Sequence, residues 1–184
     1  MDKNKSTYKL KGFGPLYVIN LDGQPERWEW MQEQLDYWEI KDYTRVSAYD
    51  GRPEIGDDLS DIIQGRYPDN MSPGEIGCVT SHLQAIKHFY EETDEPYAII
   101  MEDDCDISTA RYWTFTWRQF ISRIPYDWDV CQVAIICPGE LHVNIHRRFV
   151  NDFSTACYAI TRHHAKKIID HHCRGEKYKL DNGV

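Results

Sequence analysis

Glu102-Asp103-Asp104-Cys105-Asp106 places four carboxylates within five residues. Carboxylates this close raise one another's pKa unless a cation sits between them. A hard divalent ion, Mg²⁺ or Mn²⁺, relieves the repulsion through oxygen ligands. It uses one or two protein carboxylates and leaves its other positions to water and substrate phosphate. The chain has 21 Lys+Arg against 30 Asp+Glu, a formal charge of -9. Such a surface repels nucleic acid, so binding a phosphorylated substrate calls for a cation supplied locally. The competing reading is a solvated acidic turn in which Asp106 or Ser108 caps the next helix. Residue chemistry alone leaves both open.

The elements around the cluster favour a site. Tyr97-Ala98-Ile99-Ile100-Met101 is a continuous apolar run, as expected of a strand covered on both faces. The acids follow its carboxyl end, where open α/β sheets bind ligands. Leu16 to Ile19 reads as another buried strand, with Asn20-Leu21-Asp22 as its polar tip. Pro25 opens a helix in which Trp28, Met31, Leu35 and Trp38 recur at helical spacing. Arg45 to Ala48 reads as a short strand ending in an Asp50-Gly51 turn. Residues 52–71 form a long polar loop, of the kind that is usually functional or mobile. Ser72-Pro73-Gly74-Glu75 is a capping box, and Ile76, Val79, Leu83, Ile86 and Tyr90 make one apolar stripe behind it. Further on, 109–124 is predicted helical, 130–136 and 155–160 as strands, and 162–172 as a final helix. This alternation predicts one α/β domain with a mainly parallel sheet over 15–184, after a polar leader at 1–14.

Other features exclude classes. No apolar run approaches the roughly 20 residues of a spanning helix, and Met1 to Lys5 is too polar for a secretory signal. With six cysteines and no C-x-x-C pair, the chain reads as cytoplasmic with reduced thiols. His142 and His146, and the pairs His163-His164 and His171-His172, lack Cys or acidic partners at zinc-ligand spacing. No P-loop is present, which counts against an ATP-hydrolysing enzyme. A metal-dependent phosphotransferase or nuclease could use the acidic cluster, but it leaves the segments around 17–28 and 72–82 unexplained.

Four segments, in order, resemble glycosyltransferase family 25, the group that includes lipooligosaccharide and collagen hydroxylysine galactosyltransferases. They are Tyr17-Val18-Ile19-Asn20-Leu21-Asp22 with Pro25-Glu26-Arg27-Trp28; Arg45-Val46-Ser47-Ala48-Tyr49-Asp50-Gly51; Ser72-Pro73-Gly74-Glu75-Ile76-Gly77-Cys78 with Ser81-His82; and Ile99-Ile100-Met101-Glu102-Asp103-Asp104. A weaker fifth is Ala156-Cys157-Tyr158-Ala159-Ile160 followed by Ala165. The resemblance implies a GT-A-like, Rossmann-type nucleotide-sugar-binding domain. It also implies a UDP-sugar donor, UDP-galactose or UDP-glucose, with Mn²⁺ or Mg²⁺. The acceptor would be a glycan, a lipooligosaccharide or a hydroxylysine-type hydroxyl.

On that resemblance Glu102-Asp103-Asp104 stands where such enzymes keep an acid-x-acid metal motif. Asp104 is the first choice of ligand, Asp106 a second, and Glu102 would contact the donor ribose or the ion's water shell. Asn20, Leu21 and Asp22 would form the nucleoside pocket, with Asp50 and Gly51 at the ribose or uracil. Arg27 would reach a phosphate or the acidic cluster. Glu75, Ser81 and His82 share one helix: Glu75 has a capping role available, and His82 would orient the donor or serve the fold. The implied reaction is a single displacement with inversion. Its base is open among Asp152, Asp181 and residues past Val184, because chains resembling this family usually continue into another acidic segment. The expectation is a C-terminally truncated domain, and the alternative is a non-catalytic glycosyltransferase-like binding module with an incomplete site.

Overall fold

Leu16–Asn20 forms β1, buried at every position, in a computed structural model that describes residues 6–54, 56–66, 70–134 and 154–180. A strand apolar on both faces belongs inside a sheet, and β1 lies between two parallel neighbours. On one side is β2, Tyr43–Ser47, and on the other β3, Tyr97–Glu102. Beyond β3 lies β5, Cys157–Thr161, and then β4, Val130–Ala134, at the edge. Both β3–β5 and β5–β4 pair antiparallel, with a register shift between Gln132 and Ala134. Four strands therefore point one way and β5 runs against them. The sequence expectation of a mainly parallel sheet holds for β2–β1–β3 and needs this correction at β5. The run predicted over 130–136 is described as far as Ala134.

Helices cover both faces. The helix α1, Pro25–Tyr37, buries Met31 and Leu35 on the face that carries Leu16, Val18, Ile99 and Met101. The opposite face, with Tyr17, Ile19, Ala98 and Ile100, is covered by α2, Pro73–Glu92. Ala165, Ile168 and Ile169 of α4, Arg162–His172, join α2 there. Predicted and observed bounds of α4 coincide. The single helix expected over 109–124 is two pieces instead: a 3-10 helix, Ile107–Tyr112, and α3, Trp117–Ile121. Trp113 is extended between them, and Thr116 with Gln119 closes a capping box that starts α3 afresh.

Described residues of the long loop are anchored. A 3-10 turn, Leu59–Asp61, and Ile63 pack against Ile76 and Leu83 of α2, together with Tyr178 and Leu180. Tyr178 lies on β7, Lys177–Tyr178, which pairs with β6, Cys173–Arg174. Leu10 and Phe13, inside the segment read as a polar leader, are buried in the α1-side core. That part of the segment packs with the domain. Among the described residues all cysteines are free: Cys105 and Cys157 are buried, and Cys78 is at the surface.

Candidate active site at the carboxyl edge of the sheet

Successive strand residues face opposite sides, and this divides the acidic cluster. Glu102, which pairs in register with Ile19, faces the α2 side. There its Oε1 accepts from Thr155 Oγ1 at 2.6 Å and lies 3.4 Å from His82 Nε2. Asp103 turns to the α1 side and is buried. Its Oδ2 accepts from Asn20 Nδ2 at 2.6 Å and its Oδ1 from Arg27 at 3.2 Å. Asp104, at the exposed tip, accepts from Arg27 at 3.5 Å. Asp106 accepts from Ser108 N at 2.8 Å and caps the following 3-10 helix.

Their electrostatics differ accordingly. The His82 contact, then Thr155, holds the Glu102 carboxyl below its ordinary value against desolvation. Partial desolvation, then the charge of Glu102, raises Asp104, and Arg27 offsets this only in part. For His82 burial is the largest influence and opposes charge. The Cys78 and Glu102 contacts together outweigh it and push the imidazole up to about 9.

The expected nucleoside side lies beside this cluster. Asn20 is buried at the end of β1, and its Oδ1 accepts from Arg45 Nε at 2.8 Å. Arg45 also reaches Asp22 at 2.6 Å, and Ser47 Oγ donates to the other Asp22 oxygen at 2.7 Å. Ser47 and then Arg45 hold the exposed Asp22 carboxyl below its usual range. Leu21 is half-buried, and its carbonyl accepts from Gln24 N. The Asp50 carboxylate forks onto Arg52, and its N–H donates to Asp57. Gly51 lies directly on the start of α2: a Cβ there would meet the Pro73 carbonyl oxygen at 1.8 Å. Ser81 is buried, donates to the Gly77 carbonyl and accepts from Tyr49 N at 2.9 Å. Glu75 closes the capping box with Ser72, accepting its N–H at 2.7 Å. Ser81 and Glu75 therefore have structural partners.

Between the cluster and α1 is an open depression of about 290 Å³, lined by Glu26, Arg27, Trp30, Asp103 and Asp104. Trp30 is 40% exposed there, offering a ring face beside a carboxylate and a guanidinium. The sequence reading gave no site role to Trp30, Arg45, Thr155 or Tyr158. Arg45 alternates outward from Val46, which was a usable signal. Trp30 falls off the apolar stripe of α1, which was another. Of the other histidines, His164 faces Asp129 at 3.5 Å and His172 Nδ1 meets the Lys179 carbonyl at 3.0 Å. His142, His146, Asp152 and Asp181 lie outside the described residues.

The donor set suits a hard divalent ion. Glu102, Asp103 and Asp106 each accept a short hydrogen bond of 2.6 to 2.8 Å, whereas Asp104 is exposed, meets Arg27 at 3.5 Å, and has its ionised form opposed by partial desolvation and then by the charge of Glu102. One such carboxylate, with phosphate and water completing the sphere, is how Mg²⁺ is commonly held. A family model described as glycosyltransferase family 25 (LPS biosynthesis protein) matches residues 13–120, more than half of the 184. No curated protein matches the chain.

Proposed function

The chain belongs to glycosyltransferase family 25, and we propose that it transfers a hexose from a UDP-sugar to a hydroxyl of a glycan or lipopolysaccharide-type acceptor, with inversion. The observation that carries this reading is the state of Asp104. It is an exposed carboxylate at the tip of a central strand, and partial desolvation, then the charge of Glu102, raises its pKa. Asp104 would hold Mn²⁺ or Mg²⁺, with Glu102 directed at the donor ribose or the ion's water shell. When bound, such an ion supplies Lewis-acid stabilisation of the leaving diphosphate.

The chain's own residues do the rest. Asn20 and Arg27 fix Asp103, so the turn presenting Asp104 keeps its shape when substrate arrives. Arg27 is half-exposed and already lies against the cluster, where it can add a charge-assisted hydrogen bond to a phosphate oxygen. Trp30 lends a flat apolar face for a sugar or base ring. Asp22, held ionised by Ser47 and Arg45, offers acceptors to the nucleoside. GT-A-like architecture is consistent with the α/β sheet and its ligand edge.

Thermal melting with UDP, with and without Mn²⁺, followed by UDP release from UDP-galactose or UDP-glucose, tests the proposal. We expect a metal-dependent rise in Tm and measurable release. Binding without release would favour the non-catalytic module. A Tm unmoved by UDP plus Mn²⁺ would sink donor binding altogether.

A further inference from the structure

Cys78 and His82 are four residues apart on α2 and so share one face of that helix. Facing them is Glu102 at the end of β3, and one ligand atom from each of the three lies within 4.8 Å of the others. His82 is buried, and among the described residues its Nε2 has no hydrogen-bond partner; it faces Glu102 Oε1 at 3.4 Å. The glycosyl-transfer reading does not use Cys78, and it leaves the orphaned nitrogen unexplained.

We propose that Cys78 Sγ, His82 Nε2 and Glu102 Oε1 form a binding site for a borderline-soft divalent cation of the zinc type, distinct from the hard ion assigned to Asp104. Tetrahedral zinc, with bonds of about 2.0–2.3 Å, keeps its donors roughly 3.3–3.7 Å apart. The Nε2–Oε1 separation is already 3.4 Å. Cys78 is at the surface, so its rotamer can close the remaining gap and the ion has a route in. Three protein ligands leave the fourth position to water or substrate.

The surroundings are those that metal-ligating groups require. A ligating histidine normally gives its other ring N–H to an acceptor, which fixes the tautomer. Here Nδ1 lies 3.0 Å from the Tyr158 hydroxyl, so a proton held on Nδ1 leaves Nε2 free to ligate. Thr155 donates to Glu102 Oε1 and sets the carboxylate's orientation before any ion arrives. Thiolate plus imidazole selects zinc over Mg²⁺ or Mn²⁺, which prefer all-oxygen spheres. Ligating Cys and His must be deprotonated, so binding displaces any proton held on Sγ or Nε2. The site would tie α2 to the tip of β3. It shares Glu102 with the proposed sugar transfer but rests on its own geometry.

Cobalt tests it, because a thiolate on Co²⁺ gives a near-ultraviolet charge-transfer band that carboxylates do not. The chelator-stripped full chain, titrated with Co²⁺, is expected to develop that band at one equivalent. One equivalent of Zn²⁺ should bleach it, and excess Mg²⁺ should not. Cys78→Ser, at a surface position that the fold tolerates, should lose the band and weaken Zn²⁺ binding about 100-fold or more. Cys173→Ser and Asp104→Asn should keep both. No thiolate band at stoichiometric cobalt overturns the proposal, and so does a band that survives Cys78→Ser. Loss of the band in Asp104→Asn would also overturn it, by placing the ion in the acidic tip.

Discussion

Asn20 uses both ends of its amide: Oδ1 accepts from Arg45, and Nδ2 donates to Asp103 and to the Gln24 carbonyl. Asn20→Asp would set two buried carboxylates against each other in place of a 2.6 Å hydrogen bond. Leaving a buried group unsatisfied costs about 1–3 kcal/mol, and more when it is charged. Urea unfolding should show Asn20→Asp destabilised by at least ~2 kcal/mol; an unchanged midpoint would mean that Asp103 is not held as described. The His82–Glu102 pair gives a pH signature. His82 has a folded pKa of about 9, above its ordinary 6.5. Its contribution is whole below 6.5 and lost as pH rises through about 9. Glu102 is lowered from 4.5, so its contribution is present above 4.5 and fades as pH falls through its folded value. Together they are strongest between pH 4.5 and 6.5. The Tm of the metal-free chain should fall on the order of 5 °C on going to pH 9, and Glu102→Gln should flatten part of that limb, the Cys78 contact sustaining the rest. An alkaline limb equally steep in Glu102→Gln would assign it to other groups.

The helix α2 shows how one element can carry opposite demands on the same residue type within a turn. A Cβ on Gly74 would meet nothing within 4 Å, whereas one on Gly77 would come to 2.7 Å from Gly51 N and the Tyr49 carbonyl. Gly74→Ala should therefore stabilise by roughly 0.5–1 kcal/mol through helix propensity. Gly77→Ala should cost about 1–3 kcal/mol by overpacking and push the loop that carries Asp50 off the helix. Chemical denaturation of both variants checks the pair, and the same sign for both would mean that α2 and this loop do not approach as closely as described. Elements with explicit start signals were legible in the sequence: Ser72 to Glu75 opens α2, and Pro25 opens α1. The stretch 109–124 was misread because apolar spacing alone does not reveal that Thr116 restarts the chain with its own capping box. The direction of β5 was not legible either. Its residues are nearly all apolar or aromatic, so its composition is the same whichever way it runs, and what reverses it is pairing with β3 and β4. The position of the acidic cluster at the end of β3 was legible, but not its division between the two faces, because that follows from which side of the sheet each strand residue meets.

Across the whole molecule the aromatic residues are unevenly shared. Of the six Trp, Trp28, Trp38, Trp113, Trp117 and Trp128 belong to the core on the α1 face, and Trp30 faces the depression. The opposite core contains no Trp, and α2 with its 20 residues and α4 with its 11 supply much of the helix there. Tryptophan fluorescence thus reports one face, while far-ultraviolet circular dichroism draws heavily on the other. The two cores share β1, β3 and β5, whose side chains alternate between them, so neither face can open without unpairing strands that the other needs. Unfolding should therefore be two-state, with coincident urea midpoints by both probes. Phe89 provides the sharper test because it is fully buried against Tyr17 on the face without Trp. Phe89→Ala should cost about 3–5 kcal/mol and move the fluorescence midpoint as far as the dichroism midpoint, although no Trp lies near it. If only the dichroism signal moved, the two faces would be unfolding separately, and the shared sheet would not be coupling the acidic tip to both helical layers.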